Sequence, residues 1–114
     1  MDYIENIQSQ IRKGILEFSI LLLIEKNEVY SAEIIKKLKQ TGLIVVEGTL
    51  YPLLSRLKSN KLLDYSWVES KSGPPRKYYK ITEKGVSVLE GLKKTWGSVD
   101  KTINSLIKQN EKSN

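Results

Sequence analysis

Thr49, Tyr51, Ser55 and Arg56 fall within one short stretch around Pro52. Hydroxyls and a guanidinium at this density suit phosphate oxygens, and Arg56 has the donors to reach a guanine edge in a major groove. A few residues later Lys71, Arg76 and Lys77 flank the sequence Ser72-Gly73-Pro74-Pro75. Cations on both sides of a turn make a fork for a nucleic-acid backbone or minor groove. A polar helix followed by a basic hairpin is the layout with which a winged helix-turn-helix grips a duplex. The plainer alternative is that Tyr51 covers apolar surface and Arg56 is a solvated charge.

Other chemistries are poorly supplied. The chain has no cysteine and no histidine, which removes disulfides, thiolate and imidazole metal sites, and the commonest general base near neutral pH. No carboxylate or lysine cluster replaces them, so neither an enzyme nor a cofactor is expected. The net charge of +6 is unevenly placed. Residues 1–30 carry three Lys/Arg against five Asp/Glu, residues 31–82 carry ten against four, and residues 83–114 carry six against four. The positive field therefore centres on the segment with the hydroxyls and the hairpin, where it would draw in phosphates. A lysine-rich solubilising surface would look similar by charge alone.

These side chains need a scaffold, and apolar spacing provides one. Ile4, Ile7, Ile11, Ile15, Phe18 and Leu22 recur at helical steps, predicting a first helix over residues 3–26. Its apolar core from Ile15 to Ile24 is too short to span a bilayer and contains Glu17, and no cleavage pattern follows, so a cytoplasmic location without membrane contact is expected. Ser31 suits an N-cap for a second helix that ends at Gly42, with Lys36, Lys37 and Lys39 on a solvated face. Leu43 to Val46 reads as a connector. The third helix starts near Gly48, buries Leu50, Leu53, Leu54 and Leu57, and holds Pro52 close to its first turn. Leu63, Tyr65 and Trp67 alternate as in a half-buried strand, the Ser72–Pro75 segment turns the chain, and Tyr79 rather than Tyr78 is the core residue of the return strand. The fold class is mainly α with a small β-hairpin (α+β): a winged helix-turn-helix domain over residues 1–82 and a C-terminal dimerisation helix.

Thr82 caps that last helix, expected over residues 83–109 with a frayed tail at 110–114. Leu89, Leu92, Trp96, Val99, Ile103 and Leu106 form a seam beside charged residues, which asks for a partner helix. A homodimer through the first and last helices follows. Helices of about 25 residues reach roughly 37 Å, close to the roughly 34 Å between successive major-groove half-sites.

The residues now carry a specific resemblance. Lys13-Gly14-Ile15-Leu16-Glu17, the run Glu47-Gly48-Thr49-Leu50-Tyr51-Pro52-Leu53-Leu54, Trp67, Pro74-Pro75-Arg76-Lys77-Tyr78-Tyr79 and Thr82-Glu83-Lys84-Gly85 are similar to the PadR family of bacterial transcriptional regulators. The resemblance spans residues 10–107 and is to the short branch, with one C-terminal helix. It implies a winged-helix homodimer binding palindromic operators. Ser31 departs from the family's frequent glycine after Tyr30, a change expected to alter only the helix start. The run Trp96-Gly97-Ser98-Val99-Asp100-Lys101 resembles the part of short family members where a tryptophan stacks flat aromatic drugs in a central cavity. Carried over, Trp96 would stack an effector, Asp100 would favour a cationic one, and Ile11 or Ile15 would form walls. The alternative is that Trp96 fills the dimer core and Asp100 is solvated.

The reading that joins these features is a sequence-specific regulator of transcription, more readily a repressor than an activator. Two rivals remain: a winged-helix protein-interaction module, and a small-molecule-binding dimer without DNA affinity.

Overall fold

Apolar residues three and four apart wind the first helix, α1, over Tyr3–Ile24. A computed structural model describes residues 2–113. Asp2 caps α1 by accepting the Ile4 N–H on Oδ1 at 3.0 Å. Only the C-terminal half of the helix is in the core, through Leu16, Ile20, Leu21 and Ile24. Ile4, Ile7 and Ile11 lie in the open.

Helix α2 covers Ser31–Gln40. The expected Ser31 cap is corrected: Tyr30 holds the N-cap position, and Glu33 Oε1 accepts its N–H at 3.2 Å. Ser31 is the first helical residue, which frees its hydroxyl for a tertiary contact. The other end behaves as expected. Gly42 has φ +95°, the Gly42 N–H bonds to the Lys39 carbonyl, and the Leu43 N–H bonds to that of Leu38. Those two bonds are the glycine-terminated helix end that satisfies otherwise orphaned carbonyls.

Helix α3 spans Glu47–Ser59 and buries Leu50, Leu54 and Leu57, with Leu53 half-buried. Pro52 lies inside the helix, just past its first turn, and leaves the Gly48 carbonyl without its usual donor. Both residues are exposed, so water can satisfy that carbonyl. The helix closes with the same double-bond ending as α2, Lys61 to Lys58 and Leu62 to Leu57. Here the left-handed residue is Lys61, at φ 64°, where a side chain costs about 1 kcal/mol that glycine avoids.

Three strands follow the order β1-β3-β2, with β1 at Val29–Tyr30, β2 at Leu63–Ser70 and β3 at Gly73–Ile81. The short β1, absent from the sequence expectation, makes the hairpin a three-stranded antiparallel sheet. The turn is also tighter than expected, only Lys71 and Ser72. Gly73, Pro74 and Pro75 belong to β3. Val68 pairs with Arg76 and Ser70 with Gly73, so Glu69 alone faces both prolines. This is a β-bulge, where the ladder is interrupted and a missing N–H does least harm. The half-buried reading of β2 is corrected as well. Leu63 is buried, but the strand then runs beyond the body of the domain, leaving Tyr65 and Trp67 exposed.

Helix α4 spans Glu83–Ser113. Thr82 caps it, accepting the Gly85 N–H on Oγ1 at 3.0 Å while donating to the Lys61 carbonyl at 2.6 Å. A Cβ on Gly85 would collide with the Leu62 carbonyl and Ile81, so this first turn can pack only as glycine. The tail expected to fray is helical through residue 113, and Asn114 lies outside the described residues. Lys93 bonds Glu25 at 2.8 Å and Glu90 at 3.1 Å, tying α4 to the end of α1. Those hydrogen bonds raise its pKa and keep it cationic. The core gathers residues 16–89 from every element, and past it α4 projects alone. The radius of gyration is 17.1 Å, against about 13 Å for a compact chain of this length.

Candidate nucleic-acid interface

At about 100° per residue, the core leucines of α3 place Gly48, Pro52, Ser55 and Ser59 on the outermost row. All of these are exposed, as are Thr49, Tyr51 and Arg56 on its two flanks. The outer row is thus small, letting the helix backbone come near whatever it meets. The flanks differ. Arg56 Nη1 lies 3.5 Å from Glu17 Oε1 of α1. Both side chains are partly solvated, so the pair restrains Arg56 but adds little stability. Tyr51, on the other flank, hydrogen-bonds through its hydroxyl to Ser31 Oγ at 3.0 Å.

The wing supplies two differently oriented cations. Residues directly opposite in the register share a face, so Lys77 lies with Trp67, Tyr65 and Tyr79 on the α3 side. Its Nζ is 4.2 Å from the centre of the Tyr65 ring and 5.3 Å from that of Trp67. Arg76 takes the opposite face and stacks its guanidinium 4.6 Å over Tyr30. Lys71 is exposed at the tip. Between α3 and the wing runs a cleft of about 460 Å³, which Tyr51 and Ser55 enter from one side and Trp67 and Lys77 from the other. Tyr79 closes its floor. Burial, and then the proximity of the Tyr51 and Tyr65 phenols, push its pKa above the ordinary tyrosine value.

The structure thus brings Tyr51, Ser55, Arg76 and Lys77 to one cleft, with Thr49, Pro52 and Arg56 on the adjoining helix surface and Lys71 beyond it. Four contributors carry no signal of the site in the sequence: Ser31, Glu17, Tyr65 and Trp67. Ser31 and Glu17 are far from α3 along the chain, and neither belongs to a local pattern that marks a site. The way Tyr65 and Trp67 hold Lys77 depends on strand register.

The second candidate group separates. Ile15 and Trp96 meet, with Phe18, Ser19 and Leu22, around a shallow cleft of about 240 Å³ between α1 and α4. Ile11 stands one turn above it, 60% exposed. Asp100, exposed one turn beyond Trp96 on α4, accepts a hydrogen bond from Asn104 Nδ2 at 3.0 Å. Within one chain, then, only Ile15 and Trp96 of the four expected residues share a cleft, because the other two lie further out along helices that have nothing beside them.

Three helices around a twisted antiparallel sheet, with α3 beside an extended wing, define a winged helix-turn-helix. Residues 20–91 match the transcriptional regulator PadR-like family, and the chain belongs to it. A PadR-like transcription factor from Bacteroides fragilis is 56% identical, with a TM-score of 0.75, over 89% of this chain and 98% of that one. A PadR-like regulator from Bacillus cereus is 45% identical, with a TM-score of 0.80, over 86% and 96%. The Bacillus subtilis PadR solved in complex with operator DNA shares the fold at 21% identity and a TM-score of 0.63, over 68% of this chain and 46% of that longer one. Among the described residues, no helix is long and apolar enough to cross a membrane.

Proposed function

We propose that this PadR-family regulator works in the cytoplasm as a homodimeric repressor without enzymatic activity. It binds a palindromic operator with α3 in the major groove and the wing against the neighbouring backbone or minor groove. The observation that carries the reading is the cleft in which Tyr51 and Ser55 of α3 meet Arg76 and Lys77 of the wing. The operator complex of the Bacillus subtilis relative supports it by fold. Pairing is supported by the apolar residues left uncovered on α1 and α4, a pattern that marks an interaction surface. Two copies joined there would present two identical readers to a two-fold site.

The same pairing would enclose the cleft at Ile15 and Trp96 and bring Ile11 and Asp100 of each copy closer to it. A flat aromatic effector stacked on Trp96 would then release the operator by favouring a different spacing of the two readers. Fluorescence anisotropy with the chain's own promoter region tests the central claim. Salt-sensitive binding well above that to random duplex is expected. Equal binding to both duplexes would remove the regulator reading, and a partner-protein interaction that survives neutralising Lys71, Arg76 and Lys77 would favour a protein-interaction module. Quenching of Trp96 by planar dyes without operator binding would favour a small-molecule-binding dimer.

A further inference from the structure

Two elements that enter adjacent grooves of a duplex are separated by a single sugar-phosphate strand. The cleft between α3 and the wing must therefore face that strand, and what lines it can be compared with what a phosphodiester needs. Its hydroxyls come from Tyr30, Ser31, Tyr51, Ser55 and Tyr79, its cations are Arg76 and Lys77, and no carboxylate is among its lining residues. Neither of the key groups is left to rotate freely. The Ser31–Tyr51 hydrogen bond of 3.0 Å ties the phenol to the first residue of α2. Tyr65 and Trp67 meet edge to face at 6.4 Å, and Lys77 lies against both rings. Trp67 is 63% exposed, so burying an indole in the domain is not what keeps it there.

We propose that this cleft is a saddle for one phosphodiester strand, in which Ser31 orients the Tyr51 hydroxyl and the Tyr65–Trp67 pair holds the Lys77 ammonium toward the phosphate. The proposal rests on the DNA-binding reading and deepens it. Tyr51 and Lys77 touch the backbone, while Ser31, Tyr65 and Trp67 are positioning residues that act through them. Because phosphates are the same in every sequence, the saddle adds affinity and register and carries no base preference.

Binding of S31A, Y51F, W67L, K77Q and the double variants S31A/Y51F and W67L/K77Q is measured against operator and random duplex across a salt series. Wild-type binding to the operator is recorded first, which separates failure of the regulator reading from failure of the saddle. Each single variant is expected to weaken both duplexes by the same factor, about three- to tenfold. K77Q should also lower the slope of log affinity against log salt by about one. S31A should add nothing once Tyr51 is phenylalanine, and W67L nothing once Lys77 is glutamine. Circular dichroism of each variant checks that the sheet persists, and W67F, which keeps an aromatic face, should restore most of the binding lost in W67L. Losses confined to the operator would mean that these residues read bases, and additive losses in the doubles would mean that they act independently. Either result, or unchanged binding in all variants, overturns the saddle.

Discussion

The same apolar periodicity runs through two parts of α4 with opposite outcomes. Leu89, near its start, is fully buried, whereas Ile103, four turns on, is 50% exposed. α1 repeats the contrast in reverse, with Ile20 sealed and Ile4 open. The sealed halves belong to the winged-helix head, where the sheet and three helices surround them. The open halves have no layer of this chain covering them, and that of α4 extends past the head as an arm. Periodicity thus sets which side of a helix is apolar, while burial depends on whether anything stands opposite.

That contrast can be broken at either part. In the head, Leu54→Ala removes a fully buried side chain against a packed wall and is expected to cost about 3 kcal/mol of unfolding free energy, read by urea denaturation. In the arm, Ile103→Ser should leave the head intact. Its effect should fall on the proposed dimer, weakening it by about 2 kcal/mol over two copies, as measured by sedimentation across a dilution series. If Ile103→Ser instead unfolds the head, the two parts are one cooperative unit and the distinction fails. If it leaves self-association unchanged, the arm is not the pairing surface.

A smaller change works in the opposite direction. Lys61→Gly relieves a left-handed side chain at the end of α3 and should raise stability by about 1 kcal/mol, with DNA binding unaltered because Lys61 is away from the cleft. The least effect is at alkaline pH. The folded state holds the Tyr79 proton more tightly than the unfolded chain does, owing first to burial and then to the neighbouring phenols. Its contribution is therefore complete below about pH 10 and is lost as pH rises through the elevated folded pKa. Tyr79→Phe should flatten that alkaline decline in a denaturation series; an unchanged decline would assign it to other groups.

Much of the head was legible from the residues. Gly42, the four leucines of α3, Tyr79 and the Thr82 cap all follow from local rules of helix ends and side-chain period, and the structure agrees at each. The misses share a cause. Ser31 looks like a cap until Tyr30, paired to β3, takes that position, and Ser72–Pro75 looks like a turn until register places both prolines in a bulge. Trp67 alternates like a core residue, yet its strand has left the core. At the candidate interface, the exposed hydroxyls and cations were readable as residue types, but their grouping was not. Glu17 reaches Arg56, and Ser31 reaches Tyr51, only across the fold.

Sequence alone determined the family, the helical periods, the placement of positive charge in the middle segment and the absence of cysteine and histidine, because each is a property of composition or of neighbours along the chain. Tertiary structure decided which cations face α3, which hydroxyls are tied, and where the apolar stripes stop being covered. Those outcomes depend on distances between residues far apart in the chain, and packing of the whole domain sets such distances.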